Sequence, residues 1–395
     1  MQSDGPDRTD SSDAARTAPP DGAPGIDSGA VDADATQLKC AKCGAPIVYA
    51  PGSHETLCEH CGHRNSIDTG GQVVSEQDFG EAMGSLTSGA EVIERLNVEC
   101  RSCGATTEFA PNVQSQECPF CGTPIVAQAV CQRVIKPRAL LPFGLDRDKA
   151  RGSYVTWVGK LWFAPNDLKK LAWIDGHMAG LYLPFWTFDA RATTRYTGER
   201  GDYYYETVRV PVTVNGKTQW QTRQVRKIRW RSRSGTVHNR FDDVLVPASS
   251  SLPHEKLMKL GAWDLGSLVP YAEGYISGFR SESYTIDLEG GFTAARARMQ
   301  DVIRGTVNQD IGGDQQRIHQ MWPVYDAITF KHLLLPIWVA VYRYRDKPYR
   351  ILVNARDGTV SGERPWSAWK IGFAVAGGVL ALLAIVAIVM VASAR

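Results

Sequence analysis

The stretch LKCAKCGAPIVYAPGSHETLCEHCGH, residues 38–63, returns sixty positions later as VECRSCGATTEFAPNVQSQECPFCGT, residues 98–123. Each copy holds two C-x-x-C pairs separated by fourteen residues: Cys40/Cys43 and Cys58/Cys61, then Cys100/Cys103 and Cys118/Cys121. Gly44, Ala45, Ala50, Pro51 and Gly62 recur as Gly104, Ala105, Ala110, Pro111 and Gly122, so the second copy is an internal repeat of the first. C-x-x-C lets two thiolates of one tight turn reach a tetrahedral ion at about 2.3 Å, and the intervening residues suffice for a hairpin that returns the second pair. A glycine after the second cysteine supplies the positive φ with which the backbone curls around the sulfur. Four sulfurs leave no open coordination position, so the expected cofactor is structural Zn²⁺, two ions per chain. A module this small has no core of its own, and metal binding supplies about 10–16 kcal/mol of its folding energy. The competing readings of the same letters are redox pairs and an iron–sulfur cluster. His54, His60 and His63 lie close by; they read as surface residues, with a reserve-ligand role as the other reading.

The chain has 395 residues, 43% of them hydrophobic and 22% charged, which suits a mainly globular protein of more than one domain. The net charge of +2 conceals an asymmetry: residues 1–36 carry eight Asp against two Arg and few large apolar side chains, so they read as a disordered acidic tail. The remaining mild positive balance is no strong nucleic-acid signature. The N-terminal stretch has no apolar signal-peptide core, so the expected compartment is reducing and the paired cysteines mean metal before disulfide. The ninth cysteine, Cys131, stands alone and reads as an ordinary thiol.

Between the two modules, 37–65 and 98–126, lies a spacer at 66–97. Phe79, Met83, Leu86, Ala90 and Ile93 recur in it at helical spacing, and Gly80, Gly84 and Gly89 make that helix short and marginal. Residues 133–366 read as a mixed α+β domain rich in antiparallel strands. Helices are expected at 146–163, 252–265 and 291–307, the last with Phe292, Ala295, Met299, Val302 and Ile303 on one side. Strands are expected at 181–198, 205–231, 269–276 and 334–361. LYLPFWTFDARATTRY from Leu181 and LLLPIWVAVYRYRDKPY from Leu333 echo each other, each reading as a strand entered through proline; an old duplication and a coincidence of strand starts both remain open.

Gly216-Lys217-Thr218 superficially resembles a phosphate loop, but the position that needs the upstream glycine holds Pro211, and Asn215-Gly216 between two β-type runs signals a two-residue hairpin turn. His254 opens HEKLM, which lacks the second histidine of a zincin helix. With no nucleophile elbow or dinucleotide fingerprint either, a non-enzyme is expected. On the second hairpin strand Lys227, Arg229, Arg231 and Arg233 alternate with Ile228 and Trp230, placing four cations on one face. Such a face can be solvated, meet lipid or protein anions, or meet nucleic acid.

Ile371 to Ala394 are 24 residues without a charge, long enough at 1.5 Å each for about 36 Å of helix and so for a transmembrane helix over 371–394. Trp366 and Trp369 precede it as interfacial aromatics do, with Arg364 and Lys370 beside them. More basic residues stand before the run than after it. The expectation is therefore a single-pass protein of the cytoplasmic membrane, with its N-terminal bulk in the cytoplasm.

Taken together, the tandem cysteine modules, LYLPFWTFDA at 181–190, FDDVLVPAS at 241–249 and the apolar C-terminus resemble a family of bacterial membrane-anchored double TFIIB-type zinc-ribbon proteins. Its members are often labelled as similar to the primosomal protein N′ helicase, a label that reflects the ribbons, since no helicase phosphate loop is present here. One branch of that family, YdjG-like, is linked to PspA-type membrane-stress and SPFH-domain proteins, so the resemblance implies a scaffold that recruits partners of those types. The alternative it leaves is a membrane-tethered nucleic-acid-binding protein.

Overall fold

The computed structural model describes residues 38–88, 92–101, 106–108, 115–118, 123–126, 130–165, 178–214, 217–344 and 347–393; the N-terminal stretch 1–36 and Cys103 and Cys121 lie outside them. The first cysteine module is a three-stranded antiparallel sheet of β1 (Val48–Tyr49), β2 (Glu55–Leu57) and β3 (Arg64–Ser66). The spacer follows as β4 (Gln77–Asp78) and α1 (Phe79–Ser88). The second module comprises β5 (Val92–Glu99), β6 (Thr106–Glu108), β7 (Ser115–Glu117), β8 (Pro124–Val126) and β9 (Val130–Ile135). The remaining elements are β10 (Ala139–Leu140), α2 (Arg147–Gly159), β11 (Ala179–Val214), β12 (Lys217–Pro247), α3 (His254–Met258), β13 (Val269–Pro270), α4 (Glu273–Ile276), β14 (Arg280–Ser281), α5 (Leu288–Ile311), β15 (Gln315–Tyr344), β16 (Lys347–Asn354), β17 (Val360–Gly362) and α6 (Ala368–Ser393). The architecture is α+β and sheet-rich, with largely antiparallel pairing.

The two echoing Leu-Pro segments turn out to be each other's partners. β11 and β15 run antiparallel with Pro184 opposite Leu334 and Tyr182 opposite Pro336. They form the middle of the order β12-β11-β15-β10-β13. The strands are not entered through their prolines, as expected, but run straight through them. A central strand cannot spare an N–H to its ladder, and both prolines sit where the flanking partner changes. On one side β14 pairs with Leu181 and Tyr182 and β12 begins at Phe185, leaving Pro184 between them. On the other, β10 pairs with Leu333 and Leu334 and β16 begins at Ile337, leaving Pro336 between them. Each proline thus marks a break in a neighbour rather than in its own strand.

α5 covers one face of this sheet with Leu288, Phe292, Ala295, Met299, Ile303, Val307 and Ile311, all buried at helical spacing. Val302, expected on that face, is 55% exposed, because the buried row steps by four from Met299 to Ile303. Asp287 caps the helix by accepting from Gly290 N. The spacer helix joins the same core: Asp78 accepts from Glu81 N at 2.8 Å, and Phe79 lies 4.9 Å from Phe292 and 6.3 Å from Phe188, ring to ring. That cap and that burial are what hold so glycine-rich a helix. Ile93, read as part of it, belongs instead to β5. The helix expected over 252–265 is confined to α3, since Gly261 takes φ +89 and ends the α-helical path. Of 269–276 only the first two residues are strand; the rest turns as α4, where Gly274 lies so close to Ile67 that an added Cβ would stand 2.8 Å from it.

Two buried titratable groups tie loops to this core. The His332 ring lies 4.6 Å from Trp186, tilted by 37°, its Nδ1 2.8 Å from Ile135 O, and burial lowers it to about 4, so it is neutral and donates to that carbonyl. Glu282, also buried, accepts from Ser249 at 2.7 Å and from Ser251, clamping the loop after β12 to β14. Burial pushes Glu282 up to about 8 against the two serine bonds. The unfolded chain loses this proton above about pH 4.3, whereas the folded chain keeps it to about 8, so this contribution to stability is whole at low pH and declines as pH rises across that window. Glu282→Gln should flatten the decline: its unfolding midpoint should change less between about pH 5 and pH 8 than that of the parent, and an equal slope would refute the assignment.

Gly291 and Gly305 of α5 offer an opposed pair. A Cβ at Gly291 would stand 2.5 Å from Trp186 Cδ1, in the fully buried core, whereas one at Gly305 meets nothing within 4 Å. Gly305→Ala should stabilise by about 0.5–1 kcal/mol through helix propensity. Gly291→Ala should destabilise by about 1–3 kcal/mol through overpacking. Thermal unfolding of the two variants checks the opposite signs.

Candidate metal centre

In the first module two knuckles of the same shape face each other. Cys40 N donates to Ala45 O at 2.8 Å and Gly44 N to Cys40 O at 2.9 Å; Cys58 N donates to His63 O at 2.9 Å and Gly62 N to Cys58 O at 2.8 Å. Gly44 and Gly62 take φ +72 and +69, as the spacing anticipates. The turns bring Cys40 Sγ to 3.6 Å from Cys61 Sγ and Cys43 Sγ to 3.5 Å from Cys58 Sγ, and all four sulfurs lie within 4.8 Å of one another. A tetrahedron with metal–sulfur bonds of about 2.3 Å has edges of about 3.8 Å, so the donor set fits a tetrathiolate ion. At these separations the thiols perturb one another. Burial resists ionisation of Cys40, but amide donation from Lys42 and Cys43 outweighs it and brings this thiol down to about 6. At Cys43 the Ala45 amide favours the thiolate, but contacts with Cys61 and Cys58 together with burial prevail and push it up to about 12. His54, His60 and His63 are not in the cluster, and His54 Nδ1 lies 2.9 Å from Tyr275 OH.

The repeat extends to the fold. β2 pairs with β3 as Glu55–Ser66, Thr56–Asn65 and Leu57–Arg64; β7 pairs with β8 as Ser115–Val126, Gln116–Ile125 and Glu117–Pro124. Each partner is its counterpart displaced by sixty. Cys118 N donates to Thr123 O at 2.8 Å, repeating the Cys58 knuckle, and Cys100 and Cys118 are both buried. Cys103 and Cys121 fall outside the described residues. Cys131 is opposite Leu96 in the β5–β9 ladder.

What the cysteine spacing left invisible is how the first module is held. Tyr49, 2% exposed, enters the core of the larger body, its ring 5.4 Å from Tyr275 and 6.2 Å from Phe279. Its hydroxyl donates to Ser53 O at 2.6 Å, Tyr49 N donates to Ser277 O, and Ser277 Oγ donates to Ile47 O. The sequence signal was an aromatic at a position where the second copy has Phe109.

A carboxylate cluster of Glu76, Asp189 and Asp242 also brings its oxygens within 4.8 Å of one another. Lys331 Nζ borders it, 3.0 Å from Glu76 and 2.7 Å from the neighbouring Asp243, and burial together with Glu76 raises Asp189 to about 7. A lysine and a shared proton balance this charge.

Lys227, Arg229, Arg231 and Arg233 are exposed, and the β11 register sets them opposite Tyr204, Asp202, Arg200 and Gly198, on one face. Lys227 is ion-paired to Glu206, and Arg229 lies 5.0 Å over the Tyr204 ring. Beyond Gly201 β11 pairs with β12 alone, so 202–214 and 217–230 form a two-stranded arm of about 40 Å at about 3.3 Å per residue. The arm carries six Lys and Arg against two carboxylates. Val214 stands opposite Lys217, as a two-residue turn requires; Asn215 and Gly216 lie outside the described residues.

α6 is long and apolar enough to cross a membrane, and its span Ala368–Ala392 is unburied along its length. No family model matches the chain, and neither a curated protein nor a solved structure matches it.

Cys58→Ser should remove one bound metal ion per chain and, because Tyr49 shares the body's core, lower the unfolding temperature of the whole unit. Elemental analysis beside thermal unfolding checks this; unchanged metal content would refute the four-cysteine site.

Proposed function

We propose that this chain is a non-enzymatic zinc-ribbon scaffold anchored at the cytoplasmic face of a bacterial membrane, holding two structural Zn²⁺ ions and recruiting protein partners. One observation carries the reading: the cysteine module is bolted through Tyr49 onto a body that ends in an unburied apolar helix. A knuckle held rigidly at a membrane is a recognition surface of low entropic cost, since little is left to order on binding. The resemblance names PspA-type and SPFH-domain proteins as partner classes. Eight thiolates, Cys40, Cys43, Cys58, Cys61, Cys100, Cys103, Cys118 and Cys121, would hold the two ions, and their chemistry suits a reducing compartment. A second reading, a membrane-tethered nucleic-acid binder, draws on the cationic arm with its exposed Tyr205 and Trp220.

The test is affinity purification of the full chain from solubilised membranes, with and without nuclease, alongside metal analysis. The scaffold reading expects two Zn per chain, nuclease-resistant protein partners, and release to the soluble fraction when 371–395 are deleted. Partners lost to nuclease, with binding that falls steeply as salt rises, would replace it with the second reading.

A further inference from the structure

The apolar helix leaves the body beside a turn distant in sequence. Ser367 N donates to Phe163 O at 2.8 Å, and Lys370 Nζ donates to Trp162 O at 3.0 Å and to Ala164 O at 2.8 Å. The Phe163 and Trp366 rings lie 6.3 Å apart. The turn at 162–164 is therefore held level with the first turn of α6. Lys370 immediately precedes the uncharged run, so both belong to the headgroup layer once α6 spans a bilayer, because that layer is only about 5–7 Å thick on each side. Three tryptophans surround this point: Trp162 is 77% exposed, Trp366 58% and Trp369 78%. Exposure of three such rings in one place is costly in water and suits an interface where one end is apolar and the other wet.

Next to them opens a cavity of about 510 Å³ lined by Lys256, Lys259, Arg364, Glu363, Trp157 and Trp366 among others, a volume within the range of small-molecule sites. Three cations there face one carboxylate. Lys256 Nζ donates to Gly362 O at 3.3 Å, and the charge of Lys259, with that of Lys256, holds the Glu255 carboxyl below its ordinary value. Lys259 is paired at the surface with Glu255, one helical turn away. The Arg364 guanidinium stacks 4.3 Å over Trp366, which fixes the plane of its donor fork at the cavity. Glu363 turns an oxygen towards Arg350 N, at 3.4 Å.

We propose that this cavity is a headgroup site for an anionic phospholipid of the leaflet that α6 enters, with Lys256, Lys259 and Arg364 taking the phosphate and Trp162 inserting as a second interfacial anchor beside Trp366 and Trp369. The proposal rests on the membrane-anchor reading above and extends it to lipid selection. A single helix fixes the chain to a bilayer but leaves the body free to swivel; a headgroup clamp and a second tryptophan hold it in one orientation.

The test uses the full chain reconstituted into vesicles of phosphatidylcholine alone or of phosphatidylcholine with phosphatidylglycerol, read by flotation and by hydrogen exchange of 254–259 and 360–366. The parent should float with both, and in the anionic vesicles those segments should exchange about fivefold more slowly or better. Lys256→Gln/Lys259→Gln/Arg364→Gln should still float and keep its metal but lose the difference. Trp162→Phe should lose part of the fluorescence quenching by brominated lipid that the parent shows. Equal exchange in both vesicles, with flotation intact, overturns the headgroup site and leaves the anchor standing. The same protection from inorganic phosphate over phosphatidylcholine vesicles also overturns it, by making the site one for free phosphate. Failure to float with either vesicle overturns the anchor and the site together.

Discussion

The antiparallel pairing of β11 with β15 is the constraint on which the rest of the molecule depends. It joins residues 179–201 to residues 315–339, and β12, β10 and β16 pair along its two strands. α5 lies over the face that these strands present, the clamp at Glu282 joins the β14 edge, and β4 adds the spacer to β15 at Thr329 and Phe330. Paired strands so far apart in sequence carry a high loop-closure cost, and a nearly continuous buried row at Leu181–Phe188 and Phe330–Ala340 offsets it. The prolines complete the arrangement, since Pro184 and Pro336 terminate neighbouring partners without interrupting their own strands.

On this frame the cysteine module is not a bead on a string. Its cysteines build two knuckles and bring four sulfurs together, which is local chemistry. Tyr49 then commits the module to the body by burying a ring among Tyr275, Phe279 and Phe143, while its hydroxyl is satisfied by Ser53. Burying an aromatic with its polar tip paired is among the strongest ways to hold a small unit in place. The consequence for function is rigidity: whatever the knuckles and the β3 edge present, they present in a fixed orientation to the remainder of the chain.

The distribution of charge follows the same division. Cations gather on the two-stranded arm and around the start of α6, whereas the interior keeps its few ionisable groups neutral or balanced: His332 uncharged, Glu282 protonated, and Lys331 set between Glu76 and Asp243. An interior so neutralised avoids the cost of buried net charge. At the surface some cations have carboxylate partners of their own, Lys227 with Glu206 and Lys259 with Glu255.

Much of this was legible in the residues alone. Cysteine spacing and the following glycines determine the knuckles, because a thiolate cluster is a matter of a few adjacent residues and one backbone angle. The sixty-residue repeat carried through to an identical β-register for the same reason. The uncharged run at the C-terminus determines a helix able to span a bilayer by length and composition. Tertiary structure alone decided that the two Leu-Pro segments pair with each other, that Val302 faces outward while Ile303 faces in, that the spacer joins the core through Phe79, and that Trp162 stands beside Lys370. These depend on contacts between residues from about one hundred to more than two hundred positions apart, or on a helix phase set by the sheet beneath it. Periodicity records which side chains seek burial; it does not record against which partner they find it.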